Sequence, residues 1–135
     1  MYGECVMQNL VGRKVRKLFV SDDQTVLVFK LGRGEALYEC EGDCCSYTWV
    51  ADIVGVDRLL GQTVLKAEWM EVEAVEDGRS RQEEDAFYGI KLTTTGGYVD
   101  IVYRNSSNGY YGGWMGRRDT AYTDKLIEIT EDYSA

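Results

Sequence analysis

One stretch of the chain decides the predicted fold class: Asp43-Cys44-Cys45-Ser46-Tyr47-Thr48-Trp49-Val50-Ala51-Asp52-Ile53-Val54-Gly55. Within it, apolar side chains recur at i, i+4, i+8 and i+9, at Cys45, Trp49, Ile53 and Val54, which is the spacing of one helix face. Asp43 is a candidate N-cap and Gly55 a candidate C-terminal stop. The pattern therefore predicts a helix over 43–55, followed by a second short turn over 57–60.

The segments on both sides of this helix have the composition of β-strands. Before it, 10–20, 25–29 and 35–40 predict a three-stranded antiparallel meander, with 10–20 as an edge strand whose basic side chains face water. After it, strands are predicted over 62–75, 87–94, 98–104 and 126–130, and a loop over 105–116. The sequence thus predicts an α+β fold: an antiparallel β-sheet with one or two short helices inserted after the third strand.

Length and composition bound the function. A chain of 135 residues predicts a single domain over 1–135, and 15 basic against 23 acidic residues give a net charge of −8. Because the sequence has no His, catalytic groups with an imidazole base and the common His-bearing metal sites are excluded. The negative charge argues against polymeric nucleic acid and against anionic membrane surfaces as partners.

The N-terminal residues and the cysteines predict a compartment. Residues 1–10 contain no apolar run of signal-peptide length, and no window is apolar enough to cross a bilayer. We therefore expect a cytoplasmic protein with reduced thiols. Adjacent Cys44 and Cys45 do not fit the paired knuckles of a thiolate metal site, so no metal and no cofactor are predicted, and buried structural thiols are the favoured interpretation.

The charge is unevenly distributed along the chain. Residues 66–85 hold eight carboxylates against three bases, residues 12–34 hold six bases against two carboxylates, and residues 101–118 hold no carboxylate. The last stretch combines Arg with Asn, Ser, Gly and aromatic residues, which suits a small anion and a stacked base. The alternative interpretation is a glycine-rich hairpin loop whose tyrosines cover the core. The candidate ligand-binding residues are Arg104, Asn105, Ser106, Ser107, Asn108, Tyr110, Tyr111, Arg117 and Arg118.

Catalytic alternatives have less support. Asp43, Asp52 and Asp57 lie near the predicted helix, but no spacing singles out an acid–base pair. A helix N-terminus would lower the thiol pKa of Cys44 or Cys45, yet no His is present to act as a base. No catalytic residue is predicted, and the protein is expected not to be an enzyme.

Several motifs resemble a family of small phage and prophage proteins: 43–46 with 49–55, the Leu59-Leu60-Gly61-Gln62 turn, and 97–99 leading to Ser107-Asn108-Gly109-Tyr110-Tyr111. This group is similar to the Thoeris anti-defence proteins of the first type. The resemblance covers a core of about 10–112. It departs at Gly112-Gly113-Trp114, where a Ser and an acidic residue are expected, and at the C-terminal extension 115–135, which the pattern does not cover.

The resemblance implies a sponge that binds a cyclic nucleotide immune signal, either a cyclic ADP-ribose isomer or a cyclic oligonucleotide, without cleaving it. It also implies a homo-oligomer acting in the host cell cytoplasm during phage infection. The alternative is an acidic protein-binding inhibitor of a host defence complex, such as an anti-CRISPR or DNA mimic, because of the −8 charge and the acidic 68–85 stretch. An enzyme that degrades such signals is the third possibility.

Overall fold

A computed structural model describes residues 4–42, 46–72, 84–107 and 113–135, with the backbone alone for Glu84, Asp85 and Ser107. In these ranges the chain forms two single-turn 3₁₀ helices, Gln8–Leu10 and Val56–Arg58. The remaining regular structure is strand. The strands are β1 Val15–Ser21, β2 Val26–Leu31, β3 Glu35–Gly42, β4 Tyr47–Val54, β5 Val64–Met70, β6 Glu84–Thr94, β7 Gly97–Ser107, β8 Gly113–Arg118, β9 Leu126–Ile129 and β10 Tyr133–Ser134.

The strands form two antiparallel five-stranded sheets that share one core. The first sheet has the order β8-β3-β2-β1-β9 and the second the order β10-β4-β7-β6-β5. Inward side chains of both sheets belong to one buried cluster, which includes Leu18, Phe29 and Tyr38 of the first sheet and Val50 and Ile101 of the second. The described part of the chain is therefore a two-layer β-sandwich.

The predicted helix over 43–55 is wrong, and with it the α+β fold class. Tyr47–Val54 is β4, paired with β7 and β10. Thr48, Val50 and Ile53 are buried, and a bulge between Val50 and Asp52 shifts the alternation of the strand. Of the described residues on the predicted helix face, Ile53 is buried whereas Val54 is 45% exposed. Residues 43–45 lie outside the described ranges.

Other expectations from periodicity are confirmed. β1, β2 and β3 form the predicted antiparallel meander, and β6 and β7 form the predicted hairpin across Thr95 and Gly96. The predicted C-terminal strand is β9. However, β1 is not an edge strand, because β9 pairs with its Leu18–Ser21 half. The predicted loop over 105–116 is also partly strand, since β7 extends to Ser107 and β8 begins at Gly113.

The segment 115–135, predicted as an extension, is built into both sheets. It supplies most of β8 and all of β9 to the first sheet, and β10 to the second. On the outer face of the first sheet, Val26, Val28 and Leu37 are buried against Phe19, Tyr122 and Leu126. The C-terminal segment therefore covers that face.

Within the described ranges, no helix has the length and apolar character needed to cross a membrane.

A candidate ligand-binding site on the outer face of the second sheet

Arg104 lies between two aromatic rings on the outer face of the second sheet. β4, β7 and β6 pair in a register that aligns Trp49, Arg104 and Phe87 in one row across the strands. The guanidinium carbon is 5.6 Å from the Trp49 ring centroid and 4.8 Å from that of Phe87. Such contacts restrict the orientation of a planar cation.

Tyr47 extends this row toward solvent. Its ring stacks on Trp49 with centroids 5.6 Å apart and an interplanar angle of 25°. Its Oη donates a hydrogen bond of 2.9 Å to the Asp23 carbonyl, and the residue is 51% exposed. Desolvation and the nearby Asp23 carboxylate raise the pKa of the Tyr47 phenol, so it remains a protonated donor at neutral pH. An exposed ring held in this way can stack on a base.

A groove of about 470 Å³ lies beside the row, and Phe87 belongs to both. Its lining also contains Trp69, Met70, Glu71, Val72, Tyr88 and Gly89. Gly89 lets the chain after β5 cross the sheet closely, since a Cβ there would lie 2.6 Å from Val72 Cγ2 and 2.8 Å from Met70 Cε. The groove has the size and largely apolar lining of a small-molecule site.

The candidate residues Arg104 and Ser106 share this outer face, but Asn105 does not. Successive strand residues face opposite sides of a sheet, and Asn105 is fully buried in the interior. Its Nδ2 donates to Thr48 Oγ1 at 2.8 Å, and Thr48 Oγ1 donates to the Glu41 carbonyl at 2.9 Å. Asn105 Oδ1 has no hydrogen-bond partner among the described residues. A Cβ at Gly113 would collide with this pair, so a glycine is needed where β8 passes over it.

Arg117 and Arg118 lie on the first sheet, away from Arg104. On β8 they pair in register with Tyr38 and Leu37 of β3. Arg118 Nη1 lies 3.0 Å from Glu39 Oε2, and its guanidinium stands 5.3 Å from the Tyr122 ring centroid. Residues 101–118 contain no carboxylate, but in the folded protein the neighbouring strand β3 places the Glu39 carboxylate beside Arg118.

The side chains of the other four candidates lie outside the described part of the chain. The structure describes the backbone of Ser107 at the end of β7, whereas Asn108, Tyr110 and Tyr111 lie outside the described residues. The nine candidates thus do not meet at one point: Arg104 and Ser106 are brought together, and Arg118 is separated from them by the sandwich.

Sequence reasoning missed Trp49, Phe87 and the groove residues after β5. The helix interpretation assigned Trp49 to a buried helix face. The alternation typical of a strand could have indicated the position of Trp49, because Tyr47 and Trp49 are two residues apart and would share one side of a strand. The position of Phe87 opposite Arg104 depends on the register of β6 with β7, which a single sequence does not reveal.

The described cysteines have a structural role. Cys5 and Cys40 are free and buried, and burial raises the pKa of the Cys40 thiol to about 12 and, to a smaller extent, the pKa of Cys5. Both thiols therefore stay protonated and weakly nucleophilic near neutral pH. In the described ranges, no group of three or more His, Cys, Asp or Glu side chains could hold a metal ion. Cys44, Cys45 and Asp43 lie outside those ranges.

The fold and the site together define a class: a β-sandwich protein with an arginine–aromatic row beside a surface groove. Residues 8–115 match the family described as "Domain of unknown function (DUF7448)", and the chain belongs to that family. It is also similar to "Uncharacterized protein L278" of Acanthamoeba polyphaga mimivirus, with 28% identity over 82 residues. That match covers 58% of this chain and 64% of the viral protein. No solved structure matches the chain.

Proposed function

We propose that the protein binds a small cyclic nucleotide without cleaving it, and that it sequesters this molecule as an immune signal in the host cytoplasm during phage infection. The ligand class is a cyclic ADP-ribose isomer or a cyclic oligonucleotide. The proposed site consists of Arg104, the aromatic row of Tyr47, Trp49 and Phe87, and the adjoining groove.

One observation carries the proposal: Phe87 both contacts the Arg104 guanidinium and lines the groove. A cation for phosphate and an apolar space for a base are therefore adjacent. A cyclic nucleotide needs both features at short range, because its phosphates and bases are joined through one ribose.

The groups around the site match the chemistry of such a ligand. Arg104 would pair with a phosphate through two parallel N–H bonds. Met70, Val72 and Phe87 would enclose a base, and the exposed face of Tyr47 is available for stacking, at about 1–3 kcal/mol per base. Glu71 lines the groove and supplies an acceptor for an exocyclic amine.

The alternative of an acidic inhibitor receives no comparable support. It depends on the carboxylates of 68–85, and residues 73–83 lie outside the described ranges.

The test is a ligand panel measured by thermal shift and calorimetry. Cyclic ADP-ribose isomers and cyclic di- and trinucleotides are titrated into the protein, and a true ligand raises the melting temperature with its concentration. Recovery of intact ligand after heat denaturation distinguishes a binder from an enzyme. If no compound in the panel gives a shift or a heat, the proposal fails.

A matched pair of arginine variants locates the site. Arg104→Ala should weaken binding by at least about tenfold, because a charge-assisted contact is lost, whereas Arg117→Ala should leave it within about twofold. Arg117 is exposed and lies on the first sheet, so it controls for the loss of one positive charge. The reverse result would move the site to the first sheet.

A further inference from the structure

A compact basic surface lies at one end of the first sheet and has no part in the proposed ligand site. It consists of Arg13, Lys14, Arg16, Lys17 and Arg33, all exposed. Residues 12–34 carry a net charge of +4, so the rest of this −8 chain carries −12. The surface is therefore positively charged on a molecule whose net charge is negative.

Backbone geometry builds this surface. A β-bulge between Val15 and Lys17 leaves Arg16 and Lys17 both exposed, although consecutive strand residues normally face opposite sides. The β2–β3 turn brings Arg33 to the same end, where Arg13 Nη2 donates a 2.5 Å hydrogen bond to the Arg33 carbonyl. The Gly32 N–H donates to the Lys14 carbonyl at 3.0 Å. The turn thus joins Arg13, Lys14 and Arg33, and the bulge exposes Arg16 and Lys17 at the same end of the sheet.

These bases have no ion-pair partners among the described residues. By contrast, the neighbouring Lys30 pairs with Glu35, and Arg118 on the same sheet pairs with Glu39. Protection of a free sheet edge would explain exposed bases. β9 pairs only with the Leu18–Ser21 half of β1, but at the basic end the Val15 N–H donates to the Gln62 carbonyl at 2.9 Å and the Arg13 carbonyl accepts from the Val64 N–H at 2.9 Å, so this edge is also paired. Gly12, Gly32 and Gly34 add open space, since a Cβ at any of them would meet nothing within 4 Å.

We propose that this basic surface is a docking site for an acidic segment of a partner protein. A nucleic acid is a continuous polyanion, so it would extend beyond the five bases and meet the repulsion of the −12 remainder. An acidic protein segment is short enough to lie on the bases alone. The open glycine backbone allows such a segment to approach closely, and the exposed Arg side chains can each pair with a carboxylate.

The test uses a fluorescein-labelled peptide of alternating Glu and Gly residues, with a Gln-for-Glu peptide as the uncharged control. Fluorescence anisotropy should show binding of the Glu peptide to the wild-type protein at low salt and little binding of the Gln peptide. Binding should weaken about tenfold or more as the salt concentration rises and the charges are screened. The absence of binding to the Glu peptide at low salt would overturn the proposal.

A charge-matched pair of variants separates the surface from net charge. Arg16→Glu/Lys17→Glu and Lys66→Glu/Lys125→Glu produce the same net charge, and Lys66 and Lys125 are exposed bases with side chains 65% and 73% accessible. The first variant should weaken peptide binding by at least about tenfold, and the second by less than about twofold. Equal weakening by both would overturn the proposal, as would a duplex DNA that displaces the peptide at lower concentration than unlabelled peptide.

Folding is checked on the same samples. Circular dichroism melts of both variants should match wild type, because the exchanged side chains are solvent-exposed. Arg16→Gln/Lys17→Gln, which removes charge without reversing it, should weaken binding by an intermediate amount of about threefold. If the Gln variant binds as tightly as wild type, the surface does not recognise the acidic peptide through these charges.

Discussion

The outer faces of the two sheets differ in what covers them. On the first sheet, Val26, Val28 and Leu37 are buried beneath the segment that leads from β8 to β9. On the second sheet, Tyr47 and Tyr98 are 51% and 58% exposed on the outer face. Both faces carry aromatic and apolar side chains, and among the described residues the first face uses them to attach the C-terminal segment. The first face therefore serves stability, whereas the second carries half-exposed aromatic rings.

Removal of residues 119–135 should have the largest effect, because it uncovers the first face and deletes β9 and β10. We expect the free energy of unfolding to fall by more than about 4 kcal/mol, which approaches the whole stability of a small domain. Urea denaturation followed by circular dichroism measures this loss. Deletion of 133–135 alone, which removes β10 but keeps the cover, should cost much less. A truncated chain with an unchanged unfolding midpoint would show that the cover is dispensable.

A single substitution on the first face should cost more stability than one on the second face. Leu37→Ala empties a buried position under Tyr122 and Leu126 and should cost about 2–4 kcal/mol. Tyr98→Ala removes an exposed ring whose described contact is with Lys91 Nζ, 4.1 Å from the centroid, and should cost less than about 1 kcal/mol. Denaturant midpoints of the two variants provide the comparison. Equal losses would mean that the second face is also structurally engaged.

The sequence predicted the first sheet better than the second for a physical reason. The meander of β1, β2 and β3 is local, joined by turns at 22–25 and 32–34 that Asp and Gly residues mark clearly. In the second sheet, β4 contains a bulge, and the burial of Ala51 beside Val50 interrupts its alternation. The predicted helix face does not exist in the strand, because Ile53 is buried, Trp49 lies on the outer face beside Arg104 and Val54 is 45% exposed. The β-branched Thr48, Val50 and Ile53 favour a strand.

The candidate site was predictable only in part. Arg104 stands out because its segment combines Arg with polar and aromatic residues. Its partners Trp49 and Phe87 are far away in sequence, and strand register alone brings them together. Arg118 looked similar in sequence, but its pairing with Glu39 depends on β8 lying beside β3. The two arginines therefore differ in their environments because of long-range strand pairing, which a single sequence does not specify.

Asn105 and Arg104 are adjacent on β7 but face opposite sides of the sheet, so substitutions of the two should affect stability and binding differently. Asn105→Ala should lower the free energy of unfolding by about 1–3 kcal/mol, because it removes the buried donor to Thr48 Oγ1. It should leave ligand binding nearly unchanged. Arg104→Ala should do the opposite, weakening binding and costing less than about 1 kcal/mol of stability. Denaturation and calorimetry on both variants test this, and loss of binding in Asn105→Ala without loss of stability would place the ligand in the interior.

The smallest expected effect concerns the attachment of the C-terminal segment to the second sheet. Asp132 Oδ1 accepts hydrogen bonds from the Val56 and Gly55 N–H groups at 3.0 and 2.8 Å, and these bonds hold the pKa of its carboxyl below the ordinary 3.8. Because the folded-state pKa is depressed, the stabilisation is present above the ordinary pKa and is lost as the pH falls through the folded value. Asp132→Ala should therefore be less stable than wild type at neutral pH, and the difference should shrink as the pH falls below that ordinary value. Urea denaturation over a pH series measures it, with Glu131→Ala as the exposed neighbouring control. A difference that persists at the lowest pH would mean that the carboxyl group holds β10 through neutral hydrogen bonds, so that the attachment does not depend on charge.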